Sequence, residues 1–301
     1  MSKTKNEIIQ HSFVPGTEWI YYKLYCGPKT SDKLLTGLIK AVSNQLLKKS
    51  IIDQWFYIRY ADPDNHLKVR FHVPKTDHCQ TLIQLIKDLS EPYFLQGLIH
   101  KIQIDTYHRE IERYGTGTME YAEMIFFYDS EMCIQLLEII KGEELDEDRC
   151  LSSLMAVDAL LDDFQYTGSR KLELLRNLNF SFAREFNKDT KLAKQISTKY
   201  RIFRNRIDDV IFNDKSNEMA LSIQNIIRRR SERIKPVADK IIAVTNKTGT
   251  HELDDLCGSY IHMMMNRLFR ARQRTYEMVL YDFLFRTYKS YTAKNKYRNI
   301  Q

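Results

Sequence analysis

The order of two sequence patterns along the chain most constrains its fold. Through residue 107, short aromatic or alternating segments are interspersed with segments that have apolar residues three and four positions apart. The first pattern is typical of strands and the second of helices. The segments follow in the order β-α-β-β-α-β, which is typical of a ferredoxin-like antiparallel sheet with helices on one face. From about residue 119 the chain shows only the helical spacing.

These patterns predict an α+β protein with a sheet-bearing part in residues 1–118 and a largely helical part in residues 119–301. The predicted strands are Trp19–Tyr25, Gln54–Tyr60, His66–Val73 and Ile99–Tyr107. The predicted helices are Thr30–Lys49, Asp77–Leu89, Met119–Phe127, Ser130–Lys141, Asp146–Asp163, Ser169–Asn187, Thr190–Asn213, Glu218–Thr245 and Glu252–Tyr288. Thr30 or Ser31 is expected to cap the first helix, and Pro236 is expected to end or kink its helix.

Composition excludes several classes of protein. Ten glycines and six prolines are few for the turns of a Rossmann or TIM-barrel enzyme. The five cysteines are scattered without a CxxC pair, so we expect reduced thiols and no metal site. No phosphate loop, GxSxG or HExxH motif occurs, and no cofactor is expected. No apolar run is long enough for a membrane span, and the polar start lacks a signal peptide, so we expect a cytoplasmic protein.

Charge is distributed unevenly between the two halves of the chain. Residues 1–150 contain 18 Lys and Arg against 22 Asp and Glu, whereas residues 151–301 contain 28 against 17. The basic half is consistent with an anionic partner or with lysines and arginines that simply solvate long helices. No nucleic-acid-binding module is recognisable, so direct nucleic-acid binding is not expected.

The strand HLKVRFH carries the first candidate site. Lys68 and Arg70 are two residues apart and therefore share one face of the strand. The preceding strand offers Arg59, which alternation places with Trp55 and Tyr57. Cations among aromatic rings on a sheet face suit an anion site, although a solvated sheet face would have the same pattern.

Two further segments carry candidate residues. If residues 107–115 are helical, Arg109 and Arg113 share a face, and Glu110 can pair with Arg113. An ion-paired surface helix would give the same pattern. In the later apolar helix, His262 precedes Asn266 by one turn. Such a histidine can transfer protons near neutral pH, or it can be a satisfied core residue.

Several segments in order resemble one family. They are Phe13–Pro28, Trp55–His72, Arg109–Gly115, the Glu123 to Ser130 segment, and His262 with Asn266-Arg267-Leu268. Together they resemble the C-terminal elimination domain of lantibiotic dehydratases, which also occurs in free-standing thiopeptide-type bacteriocin biosynthesis proteins. The resemblance spans nearly the whole chain, and it implies that the two parts form one functional elimination domain.

The resemblance implies a lyase that acts on a ribosomally made precursor peptide. In this family a Ser or Thr that carries a glutamyl ester loses its α-proton and expels glutamate, which leaves dehydroalanine or dehydrobutyrine. Arg70, Arg113 and His262 lie within the segments that resemble the family, and the resemblance implies catalytic roles for them. The substrate-binding residues implied are Lys68, Arg109, Glu110, Arg59 and Asn266.

The sequence also departs from the family pattern. Many members have Arg-x-Arg where this chain has Lys68-Val-Arg70, and many have Tyr-Gly-Gly where Thr116 follows Gly115 here. At 301 residues the chain is expected to lack the glutamylating domain. It should therefore act with a separate subunit that uses glutamyl-tRNA. An acidic leader on the precursor peptide would suit the basic second half of the chain. Two alternatives stay open: a thiopeptide aza-cycloaddition enzyme that forms pyridine, and a non-catalytic peptide-binding scaffold.

Overall fold

A computed structural model describes residues 9–140, 145–212, 218–248 and 253–298. The chain forms two compact units, of which the first comprises residues 1–127 with 244–251 and the second comprises residues 128–243 with 252–301. The first unit therefore extends past residue 118 and takes in the first turns of the helix that follows. No helix in the described ranges is both long and apolar enough to cross a membrane.

The first unit contains a four-stranded antiparallel sheet with helices between the strands. The strands are β2 (Trp19–Tyr25), β3 (Gln54–Ala61), β4 (Asn65–His72) and β5 (Lys101–Asp105), in the spatial order β3-β4-β2-β5. This order, with every neighbouring pair antiparallel, confirms the predicted ferredoxin-like arrangement. A separate two-stranded ribbon pairs β1 (Ser12–Phe13) with β6 (Tyr107–His108).

One face of this sheet is apolar and meets the helices. Leu67, Val69 and Phe71 of β4 are fully buried on that face, and α1 (Pro28–Leu34) contacts the strand. A π-helical turn, Leu35–Ile39, joins α1 to α2 (Lys40–Lys48), and α2 contacts α3 (Cys79–Leu95). The helix starts differently from the prediction, because Pro28 occupies its first position and no side chain caps it. Proline fits there because the first helical N–H groups have no partner within the helix.

The described residues from Ile111 onwards are largely helical, as predicted. The helices are α4 (Ile111–Tyr114), α5 (Met119–Ile139), α6 (Leu145–Asp163), α7 (Gly168–Glu185), α8 (Thr190–Phe212), α9 (Glu218–Thr248), α10 (Leu253–Leu268) and α11 (Gln273–Arg298). Two predicted helices merge into α5, and one predicted helix divides into α10 and α11. The division lies beside Arg272, whose φ of 55° is incompatible with a continuing helix.

Pro236 does not end its helix, contrary to one of the two outcomes expected from the sequence. Pro236 and Glu232, one turn earlier, are both exposed. The Glu232 carbonyl, which a proline cannot bond, is therefore on the solvated side of the helix, where water can satisfy it.

A buried ion network joins three helical segments of the second unit. Arg230 on α9 places Nη2 2.8 Å from Asp129 Oδ1 on α5 and Nη1 3.1 Å from Asp163 Oδ2 on α6. All three side chains are buried, and Ser231 donates a further hydrogen bond to Asp163. Arg230 therefore neutralises two carboxylates that have little access to water.

We predict that Arg230→Ala will lower the free energy of unfolding by about 3–5 kcal/mol, because it leaves buried carboxylates unpaired. The matched control is Arg229→Ala, since Arg229 is the exposed neighbour on the same helix, and its cost should stay below about 1 kcal/mol. Urea unfolding of both variants measures the difference. Equal losses would show that the network does not stabilise the unit.

Candidate functional site

The sheet face opposite the one that contacts α1 carries a row of cations. In the pairing of β2 with β4, Lys23 lies opposite Lys68, and Tyr21 lies opposite Arg70. Alternation along β4 puts Lys68 and Arg70 on this face, as the sequence predicted. Lys23 is paired with Asp105 of β5, whose pKa is lowered chiefly by that hydrogen bond.

Arg70 is enclosed by aromatic rings. Its guanidinium carbon lies 4.6 Å from the ring centroid of Tyr21, 5.1 Å from that of Phe56 and 5.0 Å from that of Tyr107. The residue is only 9% exposed, and Nε and Nη1 have no hydrogen-bond partner among the described residues. Buried donors on a guanidinium that lack an internal partner suit hydrogen bonds to the oxygens of a carboxylate. Arg70 therefore has the chemistry of an anion-binding residue whose partner is not part of the described chain.

Lys68 adds a second positive charge beside Arg70. Its Nζ lies 3.2 Å from the ring centroid of Tyr60, and it forms no ion pair with any carboxylate that the structure describes. Burial lowers the pKa of Lys68 to about 8, and the charges of Arg70 and Lys23 contribute in the same direction. Lys68 is thus a cation whose charge depends on pH close to neutrality.

Arg109 is occupied within the fold. Its Nε and Nη2 lie 2.8 and 2.7 Å from the two carboxylate oxygens of Glu123, and the Tyr107 hydroxyl donates to the same carboxylate at 2.8 Å. Glu123 is fully buried on α5. This pairing holds the Tyr107 ring where it contacts Arg70. The Glu123 carboxylate also adds to the effect of burial in raising the pKa of the Tyr107 hydroxyl, which stays protonated.

The proposed sharing of a helix face by Arg109 and Arg113 is wrong. Helix α4 begins at Ile111, so Arg109 precedes it and belongs to the segment that follows β6. Arg113 is exposed and lies 3.4 Å from Glu110 through Nη1 and Oε2, as the sequence predicted. The Glu110 charge acts on Lys68 and partly offsets the lowering of its pKa. Glu110 therefore belongs to the surroundings of Lys68, and Arg113 is the ion-pair partner of Glu110.

Arg59 lies on the other face of the sheet, which corrects the prediction that grouped it with Lys68 and Arg70. The register of β3 with β4 pairs Arg59 with Leu67, whose side chain faces the helices. There Arg59 Nη2 lies 2.7 Å from Asp32 Oδ1 on α1, and Nη1 donates to the Ser31 hydroxyl. Alternation places Arg59 on the same face of β3 as Trp55 and Tyr57, as predicted. The sequence did not reveal whether this face lies on the same side of the sheet as Lys68 and Arg70.

His262 and Asn266 lie in the second unit, one turn apart on α10. His262 Nδ1 is 2.6 Å from Glu277 Oε1, and Arg274 Nη1 is 3.0 Å from Glu277 Oε2. Glu277 is fully buried, whereas the His262 side chain is 25% exposed. A carboxylate acceptor favours the tautomer with the proton on Nδ1, which leaves Nε2 able to accept a proton. The sequence analysis missed Glu277, because it is 15 residues from His262 and on the next helix.

Other contributors to these sites were also missed. Tyr21, Phe56 and Tyr107 form the walls around Arg70, and only the high aromatic content of the strands hinted at them. No group of three or more His, Cys, Asp or Glu side chains within the described ranges is arranged to hold a metal ion.

Comparison with known proteins places the chain in a family. A family model described as lantibiotic biosynthesis dehydratase C-term matches residues 19–288. The subtilin biosynthesis protein SpaB of Bacillus subtilis is 26% identical over 259 residues, which cover 85% of this chain and 24% of SpaB. The chain thus spans about a quarter of the length of the curated relatives that it matches.

Solved structures share the fold at lower identity. The tRNA-dependent lantibiotic dehydratase MibB from Microbispora sp. 107891 superimposes with a TM-score of 0.73 at 19% identity, over 93% of this chain and 29% of MibB. The pyridine synthase TbtD from thiomuracin biosynthesis gives 0.60 at 12% identity, over 90% of this chain and 99% of TbtD. The match over residues 19–288 covers most of the sequence, and the chain therefore belongs to the family of lantibiotic biosynthesis dehydratase C-terminal domains.

Proposed function

We propose that this chain is a lyase that removes glutamate from glutamylated Ser or Thr residues of a ribosomally made precursor peptide. The observation that carries the proposal is Arg70, a buried guanidinium with two donors that lack a partner among the described residues. Family membership supports a role in peptide dehydration. The free carboxylate of a glutamyl group is the kind of ligand that such a guanidinium binds.

The proposed step is a β-elimination. A base removes the α-proton, the electron pair left behind forms the Cα=Cβ double bond, and the Cβ–Oγ bond breaks. Glutamate leaves as a carboxylate that retains Oγ, so Ser becomes dehydroalanine and Thr becomes dehydrobutyrine. The ester has to be made beforehand, and we assign its synthesis to a separate subunit that uses glutamyl-tRNA.

Arg70 and Lys68 bind and stabilise negative charge in this proposal. The aromatic rings around Arg70 exclude water without neutralising the guanidinium, which strengthens its interaction with a carboxylate. Lys68 adds charge on the same face, and Arg113 with Glu110 contributes at its exposed margin. Arg109 enters as a positioning residue, because Glu123 occupies its guanidinium. Arg59 is not part of the proposed site.

His262 is the proposed proton-transfer residue. Glu277 orients the imidazole through Nδ1, and Arg274 in turn pairs with Glu277, which holds this carboxylate in place. Asn266, one turn along α10, is proposed to bind substrate beside the imidazole.

Arg70→Gln is expected to lower kcat/KM for elimination by about 10²–10³, because the charge that meets the carboxylate is lost. The assay combines the purified chain with a synthetic peptide that bears a glutamyl ester on Ser, and mass spectrometry follows free glutamate and dehydroalanine. Arg70→Lys keeps the charge without the planar fork and should recover only part of the loss. Arg228→Gln, an exposed change on α9, is the control and should react at the unchanged rate.

Two results would contradict the proposal. One is an unchanged rate for Arg70→Gln. The other is no elimination by the unmodified chain even when the cognate glutamylated precursor and its glutamylating subunit are supplied. In the second case the pyridine-forming or scaffold alternative would replace elimination.

The elimination rate is expected to fall as pH rises through about 8, the pKa of Lys68. The pKa is lowered from that of a free lysine, so the ammonium loses its proton, and the site loses a positive charge, on the alkaline side of that value. Lys68→Arg should remove this fall, because arginine stays charged throughout the range. Rates measured for both proteins from about pH 7 to about pH 9 test this, and identical profiles would exclude a role for the Lys68 charge.

His262→Ala is expected to lower kcat for elimination by about 10²–10⁴, the range usual for loss of a general acid or base. Glu277→Gln should give a smaller loss and should also move the pH profile, since it changes the group that orients the imidazole. His100→Ala, in the first unit, is the control. Retention of full activity by His262→Ala, with an unchanged pH profile in Glu277→Gln, would remove both residues from the mechanism.

A further inference from the structure

A groove of about 540 Å³ in the second unit combines an apolar floor with a basic rim. It lies between the first turns of α8 and the first turns of α11. Leu192, Ile196, Met278 and Val279 supply its apolar lining. Lys191, Lys194 and Lys199 of α8 also line it, and no acidic residue does.

The groove is open because the two helices pack against each other farther along their length. The Tyr200 and Phe283 rings are 5.6 Å apart, and the Tyr200 and Thr287 hydroxyls are 3.2 Å apart. In the earlier turns Leu192 and Val279 are half-buried beside a cleft, whereas Ile196 and Met278 are buried.

The basic rim is not neutralised within the described chain. Lys191, Lys194 and Lys199 form no ion pair with any carboxylate that the structure describes. Lysines of this unit that have structural roles behave differently: Lys171 pairs with Asp158 at 2.7 Å, and Lys188 pairs with Asp282 at 2.6 Å. The groove therefore presents an excess of positive charge around an apolar surface.

We propose that this groove docks an acidic amphipathic segment of the precursor peptide. An amphipathic helix would place apolar side chains three and four residues apart on the floor and Asp or Glu beside the lysines. Charge complementarity favours this occupant over a second copy of the chain, because two copies meeting at this groove would bring like charges together. That the segment belongs to the precursor rests on the proposed function, whereas the choice of an acidic amphipathic peptide rests on the groove alone.

The test uses a fluorescein-labelled synthetic peptide with Leu at helical three-four spacing and Glu at the flanking positions. Fluorescence anisotropy with the full chain gives its Kd. A peptide with Gln in place of every Glu tests the charge, and a peptide with the Leu positions scrambled tests the apolar pattern. We expect both changes to weaken binding by about tenfold or more.

Variants of the protein locate the binding site. The triple substitution Lys191→Gln, Lys194→Gln and Lys199→Gln should weaken binding of the Glu peptide by about tenfold, and Val279→Asp should do so as well. The matched control changes three exposed lysines of the first unit, Lys29→Gln, Lys48→Gln and Lys75→Gln. This control loses the same net charge and should change Kd by less than about twofold. Thermal unfolding of each variant confirms that the chain stays folded.

The outcomes distinguish failure of the docking proposal from failure of the proposed lyase activity. Tight binding of the Glu peptide by the triple groove variant, or equal binding of the Gln peptide, would overturn the proposal. Binding of vesicles that contain anionic phospholipid, with no binding of the Glu peptide, would also overturn it. Elimination from a short glutamyl ester that lacks any acidic segment should be unchanged in the groove variants. If the lyase assay fails while the peptide still binds at the groove, the docking site stands and only its assignment to the precursor falls.

Discussion

The Glu123 carboxylate is the group on which the cation-bearing side of the sheet depends. It is fully buried on α5 and accepts hydrogen bonds from Arg109 and from the Tyr107 hydroxyl. Both oxygens of this buried carboxylate accept hydrogen bonds, from the guanidinium and from the phenol. Removal of the guanidinium would leave a buried charge without a counter-ion. The network therefore fixes the segment after β5 against α5, and with it the Tyr107 ring that contacts Arg70.

The contrast between two buried arginines supports the proposal that Arg70 binds a ligand. Arg230 is buried to a similar extent and is neutralised by Asp129 and Asp163, so its charge is consumed by the fold. Around Arg70, aromatic rings take the place of carboxylates. The rings lower the cost of desolvation through cation–π contacts, but they leave the Nε and Nη1 donors without hydrogen bonds. Arg230 thus has two carboxylate partners, whereas Arg70 has none among the described residues. The free donors of Arg70 are what the carboxylate of a ligand would need.

The sequence predicted the strand order of the sheet and the helical second half, because both follow from local periodicity. It failed where the outcome depends on how separate segments meet. Alternation identified the strand face that carries Arg59, but only the pairing register decides whether that face is shared with Lys68, and it is not. The link from His262 to Glu277 crosses the break at residues 269–272, and the apolar spacing that runs through this break concealed it.

Lys68 stands where many family members have arginine, and either residue keeps a positive charge in this row of the sheet. It is directly opposite Lys23, and like charges across a strand pair destabilise a sheet. The two lysines are supported differently, since Asp105 neutralises Lys23 whereas the Tyr60 ring contacts Lys68 without removing its charge. The strand therefore retains two cations, Lys68 and Arg70, that no described carboxylate neutralises. Two such cations on one face lower the stability of a sheet, and this supports the proposal that an anionic ligand supplies the missing counter-charge.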